Sequence, residues 1–329
     1  MKIFIKPLQS LIVILFLTVF MNQINYAQNL KDTTFLRTNK RLPVINGFRF
    51  MPTDMVKDPF VNTAFKVKAG AGIAFDLKSY IKNFKGTVID TASGDLTYVT
   101  GGVEFQYAVN DWLALSAGYN GFGRLGNNTY TILTSGISYT TGYSLGATLR
   151  FVNKEKFVIS ESVEYANTKI ATYSIYDYMK RAVQNYGDTT IKNDLLVEDN
   201  VYKLLFNTNI AYAPNNWLGF MGNAGIGLGK AFEQKPRGNI KLAFAGSVDF
   251  LNVKYIKFPI GILASVKYNA FAETGENIDN VFTYALRIAY TGHKDFDVGI
   301  ENTYSNLNYK AKDERIKSII TSVKISYFF

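Results

Sequence analysis

The chain has no cysteine and a single histidine, His293, in 329 residues. Without thiols there are no disulfides, no thiolate nucleophile and no cysteine-ligated metal. Proline is scarce, with seven in all, and tryptophan occurs twice, as Trp112 and Trp217. Long apolar runs are missing beyond the first thirty residues, so no later segment reaches the ~20 residues that a membrane helix needs. Blocks of like charge are missing too. The net charge is +10, but lysine and arginine are scattered, which argues against a nucleic-acid arm. What is abundant is aromatic: 22 Tyr and 25 Phe, with 26 Gly. A mean hydropathy of −0.01 is too polar for a bundle of membrane helices, and the aromatic content is high for a soluble domain.

The first residues address the chain. Lys2 and Lys6 precede an apolar run, LIVILFLTVFM (11–21), and then NQINYAQ with a small Ala27. This is the layout of a secretory signal peptide covering 1–27. The Ala-Gln junction resembles signal peptides of Bacteroidota-type Gram-negative bacteria. An uncleaved anchor is the alternative, and the run is short for a span.

From Phe65 onward the apolar period is two. Phe65, Val67, Ala69, Ala71, Ile73 and Phe75 alternate with Lys66, Lys68, Gly70 and Gly72. Leu113, Leu115, Ala117 and Tyr119 alternate with Ala114, Ser116 and Gly118, and Phe282, Tyr284, Leu286, Ile288 and Tyr290 with Thr283 and Arg287. Side chains of a strand point to opposite faces in turn, so each run is a strand with one apolar side. About twelve such runs, each of about ten to thirteen residues, follow one another. A soluble sandwich also alternates, but its strands are usually about half as long. The length suits a tilted strand that crosses a bilayer.

Connections alternate between short and long. The short ones lie at 110–111, 153–156, 214–216, 252–257 and 292–295; the long ones at 77–96, 122–136, 169–200, 230–240, 270–278 and 306–317. Outer-membrane barrels have short periplasmic turns and longer external loops. Two short turns share one phrase, YAVNDWL (107–113) and YAPNNWL (212–218). Each Trp falls in the inward phase by strict alternation, and each is expected to anchor an interface or cap the barrel floor. The repeat reflects similar local demands or a duplicated hairpin.

The chain ends VKISYFF. A last strand closing on Phe329 resembles the insertion signal of Gram-negative outer-membrane β-barrels, over roughly residues 65–329. The resemblance implies an all-β fold: a transmembrane, antiparallel, up-and-down barrel of about twelve strands at 63–329, in the outer membrane, of porin or transporter type. It implies outer-membrane lipid and the barrel-insertion machinery as partners, with both termini periplasmic. Twelve strands tilted by ~40° give a backbone diameter of roughly 24 Å and a lumen of about 10 Å. That suits passage of a small or amphipathic solute. A non-conducting barrel whose external loops bind a partner or surface component is the alternative.

The polar phase names the candidate lumen residues: Lys66, Lys68, Glu104, Arg150, Lys203, Asp249, Lys267, Arg287, Glu301 and Lys324, with Asp76, Glu164, Lys241 and Asp297. Buried charges need partners, so they brace the wall as ion pairs or line a pathway that prefers anions. Glu161 breaks the pattern by falling in the outward phase with Ile159 and Val163. A β-bulge that shifts the phase, or a subunit contact, would account for it. The loop at 169–200 carries SIYDYMKRAVQNYG, with capping residues Ser174 and Asp177 and an apolar stripe through Tyr178, Ala182 and Tyr186; one short external helix is expected there. Residues 28–62 have no period and are expected to form a periplasmic extension. The alternative is a plug in the lumen, by analogy with outer-membrane fatty-acid transporters. No catalytic constellation, metal site or cofactor motif is present: His293 lies in a periplasmic turn, away from the external rim where outer-membrane phospholipases and proteases act.

Overall fold

A computed structural model describes residues 42–82, 87–126, 137–173, 196–230, 236–272, 278–309 and 314–329. A small hairpin, β1 (Val44–Ile45) and β2 (Phe48–Arg49), comes first. Twelve long strands follow: β3 (Ala64–Lys82), β4 (Val88–Ala108), β5 (Leu113–Gly126), β6 (Ile137–Asn153), β7 (Phe157–Tyr173), β8 (Leu196–Tyr212), β9 (Leu218–Lys230), β10 (Pro236–Asp249), β11 (Ile260–Ala272), β12 (Ile278–Tyr290), β13 (Phe296–Tyr309) and β14 (Glu314–Phe328). Each pairs antiparallel with the next, and β14 pairs with β3, so the sheet closes into a 12-stranded barrel. Closure leaves no sheet edge and satisfies the backbone within the wall.

The alternation builds two faces. Outside stand Val103, Leu145, Phe206, Ile226, Leu242, Phe244, Leu286, Ile300 and Val323, all exposed. Inside are Gln106, Thr148, Ser162, Asn209, Ser265, Arg287 and Glu301, all buried. Six strands reach the short-turn end with an outward aromatic within one residue of their terminus: Phe65, Tyr107, Phe157, Tyr212, Tyr290 and Tyr327. Two pairs of them face each other directly, Phe157 with Tyr212 and Phe65 with Tyr327. Aromatic cross-strand pairs of this kind add about 0.2–1 kcal/mol each.

The strands are longer than their alternation suggests, at 13 to 21 residues. Most of the expected loop at 77–96 is strand, because β3 runs to Lys82 and β4 starts at Val88. Beyond the apolar band a strand needs no apolar face, so its period vanishes while β-branched residues keep it extended. A register shift between Ala74 and Leu77 further scrambles the phase there. The expected loop helix, at 174–187, falls outside the described residues, as do the 1–27 signal segment and the side chain of Asp76.

Glu161 is a correction. A bulge exists nearby, but it inserts Phe151 into β6 between Arg150 and Val152. The β7–β8 register is unbroken from Phe157 to Tyr173, so Glu161 stays in phase with Phe157 and Ile159 on the outer face. Its Oε1 accepts from the Thr208 hydroxyl at 2.8 Å, which gives the carboxylate a partner across the strand pair.

Candidate functional site

The site is the barrel interior, and residues 42–62 occupy its short-turn end. The hairpin β1–β2 turns on Asn46 and Gly47, both at positive φ (50° and 75°), as a two-residue Asn-Gly connection requires. Asn46 Nδ2 donates to the carbonyls of Ala213 and Pro214 in the β8–β9 turn. Phe48, Phe50, Met51, Met55, Val56 and Phe60 are buried in one cluster with Val158, Ala211, Met221, Ala245, Leu263, Ala285 and Ala289, all of them inward positions. Each such side chain contributes about 1.5–3 kcal/mol of burial before ordering costs. The wall is shaped to receive them. A Cβ on Gly219 would lie 2.1 Å from the Phe48 ring, and one on Gly261 would lie 2.6 Å from Met51 Sδ.

Polar contacts hold the same segment. Gln106 Nε2 donates to the carbonyl of Phe60 at 2.9 Å and to Asn62 Oδ1 at 2.8 Å. Arg49 donates to the His293 carbonyl and lies over the Phe328 ring at 5.8 Å. Four ion pairs join segment to wall: Lys57–Glu164 at 3.2 Å, Asp58–Lys66 at 3.7 Å, Asp54–Lys68 at 3.3 Å and Asp54–Lys324 at 3.1 Å. Lys66 also meets Glu104 at 3.0 Å, and Lys324 meets Glu301 at 2.7 Å.

The environment tunes these groups. Burial alone would raise the Asp54 carboxyl, but Lys324 and Lys68 outweigh it and hold it below the usual carboxylate range. Burial alone would lower the Lys57 ammonium; Glu164 and Glu104 outweigh it and raise it. At Asp58 burial prevails over Lys66 and pushes the carboxyl up. Burial also lowers the Arg49 guanidinium. Beside this network a polar cavity of about 290 Å³ remains, lined by Asp54, Lys57, Lys66, Lys68, Glu104 and Lys241 among others.

The candidate lumen residues therefore divide. Lys66, Lys68, Glu104, Glu301 and Lys324 form the network around the N-terminal segment. Arg287 (0% exposed) pairs with Asp297 in the wall, close to Arg49. Two others serve the short-turn end. Arg150 donates to the Asp111 carbonyl. Asp249 caps the 3₁₀ turn Phe250–Asn252 and accepts from Thr291 Oγ1 at 2.7 Å. Lys203, Lys241 and Lys267 have no ion-pair partner among the described residues; Lys203 Nζ sits over the Phe271 ring at 5.8 Å.

The two tryptophan turns are one structure used twice. Asn110 Oδ1 accepts from the backbone of Trp112 and Leu113, and Asn215 Oδ1 accepts from Trp217 and Leu218. The Trp112 and Trp217 carbonyls then accept from Arg150 and Asp249 of the neighbouring strand. An Asx turn of this kind explains the repeated Asn. Trp112 and Trp217 are 48% and 38% exposed. Phe329 ends the chain against Thr63, its amide donating to the Thr63 carbonyl at 3.0 Å, with its ring edge-on to Tyr327.

Pattern reading missed two groups. The inner contacts of Phe48, Met51, Asp54 and Lys57 lie in an aperiodic stretch, where no phase says which way a side chain faces. The stretch FRFMPTDMVKDPF does concentrate large apolar residues next to prolines, which signals burial without naming a place. The other group is a second inner apolar cluster of Ala74, Leu96 and Tyr98, backed by Leu77, Phe122, Ile316 and Ile320, toward the long-loop end. Tyr98 lies across Gly72, where a Cβ would come within 2.7 Å of its ring.

No family model matches the chain, and no curated protein matches its sequence. Among solved structures, an outer-membrane channel from Pseudomonas putida F1 superposes with a TM-score of 0.54 at 10% identity, over 85% of this chain and 100% of that one. The translocator domain of the autotransporter NalP from Neisseria meningitidis gives a TM-score of 0.45 at 12% identity, over 82% of this chain and 89% of that one. At these identities the likeness is one of fold, and the fold that the chain shares with the Pseudomonas channel is the closed antiparallel β-barrel.

Proposed function

We propose that this chain is a Gram-negative outer-membrane channel for a small solute, closed at its periplasmic end by residues 42–62 acting as a plug. The observation that carries the reading is the placement of those residues inside the short-turn end, beneath a polar cavity of about 290 Å³. The outer face supports the membrane setting. It is apolar over most of its height, with aromatics where the strands end, and a water-exposed band of that kind is what lipid covers. At ~3.3 Å per residue and ~40° tilt, even a 13-residue strand rises about 33 Å, enough for an apolar band of ~25 Å. Trp112 and Trp217 are then anchors at the periplasmic interface. The likeness to a channel fold is consistent with this reading.

The buried plug also favours a second reading, a non-conducting barrel that binds a partner through its long loops. Single-channel recording in planar bilayers separates the two. The refolded protein is expected to be nearly silent, and a Phe48→Ala/Asp54→Asn variant to give stable steps. A silent variant, folded by heat-modifiable gel migration, would move the protein to the binding class.

A further inference from the structure

Lys203 on β8, Lys241 on β10 and Lys267 on β11 face the lumen outside the ion-pair network. The carboxylates whose charges reach them are Glu164, Asp54 and Glu301. Each of these already pairs with another lysine: Glu164 with Lys57, Asp54 with Lys68 and Lys324, Glu301 with Lys324. Three ammonium groups are therefore without an ion-pair partner among the described residues. The register brings them together. Lys241 lies opposite Asn269 and Lys267 opposite Ala243, so the two lysines are diagonal neighbours, about 7–8 Å apart at the backbone. The Lys203 ammonium leans over Phe271, and Phe271 lies opposite Asn239, two residues from Lys241. The charges of Lys203 and Lys267 both act on Lys241.

The surroundings are built to expose these groups. Between β8 and β10 runs β9, whose inward positions here are Gly225, Gly227 and Gly229, opposite Asn207, Leu205 and Lys203. A Cβ at Gly225 would meet Asn207 Oδ1 at 2.3 Å, and one at Gly229 would meet the Tyr202 carbonyl at 2.7 Å. The strand thus forms a bare floor over which its neighbours' side chains lie. Asn239 is 5% exposed, and neither its amide nitrogen nor its oxygen has a partner among the described residues. The Ser265 hydroxyl, two residues before Lys267, is likewise buried and without a partner. Unpartnered donors beside unpartnered ammonium groups are the equipment of an oxyanion site. The lysines lie five to seven residues in from the long-loop ends of their strands, and Lys241 lines the cavity beside the plug.

We propose that Lys203, Lys241 and Lys267, with the Asn239 amide and the Ser265 hydroxyl, bind a multivalent oxyanion, a solute that carries several carboxylates or a phosphate group, between the external mouth and the plug. The inference deepens the channel reading and rests on it for the direction of travel. A monovalent anion leaves surplus charge at the site; a di- or trivalent one matches it.

The test is calorimetric titration of the full refolded chain in non-ionic detergent at fixed ionic strength, with pyrophosphate and with citrate as probes. Saturable 1:1 binding of at least one is expected, and the stronger of the two identifies phosphate or carboxylate as the preferred group. Lys241→Gln/Lys267→Gln should weaken it by about tenfold or more, while Lys241→Arg retains it. Lys154→Gln, in an exposed turn, should leave it unchanged. Binding absent for both probes, or unaffected by the double substitution, overturns the site. So does binding that Lys154→Gln weakens as much, since that is general charge attraction. Conductance is read separately. Loss of binding with conductance intact in the plug-loosened variant removes the site and keeps the channel. Binding in a plug-loosened variant that stays silent keeps the site and removes the channel.

Discussion

Gly219 and Phe48 make one contact whose two sides can be altered independently. Phe48→Ala removes a fully buried ring and should cost about 3–5 kcal/mol, read as a lower midpoint in urea-dependent loss of heat-modifiable migration. Gly219→Ala places a methyl where the ring lies, since a Cβ there comes within 2.1 Å of Phe48, and should cost about 1–3 kcal/mol by overpacking. The double variant should be more stable than the sum predicts, because the smaller side chain makes room for the methyl. Additive losses would show that the two residues do not touch. At the same scale, Arg287→Met would leave the buried Asp297 carboxylate without its ion-pair partner and should cost about 3–5 kcal/mol. Period-two alternation was enough to place Lys66, Glu104, Arg287 and Lys324 on the inner face. It could not separate them from Arg150 and Asp249, which share the phase but spend their hydrogen bonds on the short-turn end. Phase gives a side, and partners decide the role. Glu161 shows the same limit: the bulge expected to shift its phase is absent from the β7–β8 register, and its carboxylate accepts from a hydroxyl on the next strand.

The plug is the element on which acid should act. The folded Asp54 carboxyl lies below its ordinary value, so its contribution to plug docking is fully present above about pH 4, the unfolded range. It is lost as pH falls through the lowered folded value. Asp58 has the opposite sign: its carboxyl is raised in the fold, so its protonated form is favoured there and its contribution fades as pH rises through that value. The channel is therefore expected to stay closed from pH 7 down to about pH 4 and to open in stronger acid. In Asp54→Asn the opening should occur at neutral pH and lose most of its acid dependence. Opening of the unaltered protein near pH 6 would point to another group. This element was legible only as a composition. Strand residues announce their orientation through a period, whereas residues 42–62 turn repeatedly, each side chain aimed by a local contact. The strands erred in the other direction, since their outer halves leave the apolar band and lose the alternation that marks them.

For the whole molecule, the number of strands and their closure follow from counting apolar runs and from the alternation of short and long connections. What the interior contains does not follow from that count. A 12-stranded wall has room for a narrow pore, and the pattern of the wall is the same whether the pore is empty or filled. The outer surface carries a prediction of its own. Trp112→Ala and Trp217→Ala together should leave detergent-solubilised stability within about 1 kcal/mol, because both rings are half-exposed. They should slow insertion into lipid vesicles, where the interface would otherwise hold the rings. Equal loss in detergent and in lipid would assign the pair to packing instead.

Thr63 joins the plug to β3, and its carbonyl receives the amide of Phe329. There the two ends of the barrel meet, with Ala64 paired to Phe328 and Phe75 to Lys317. No other strand pair bridges so much intervening chain, so by loop entropy it should be the last to zip and the slowest. While that seam is open, residues 42–62 can swing in from the side, still tethered to the strand that forms one lip of the gap. After it shuts, they can enter only end-on. Folding thus has a preferred order, with the filling seated before the ring is sealed. In pulse-labelling exchange during refolding, the amide of Phe48 should become protected no later than that of Phe329.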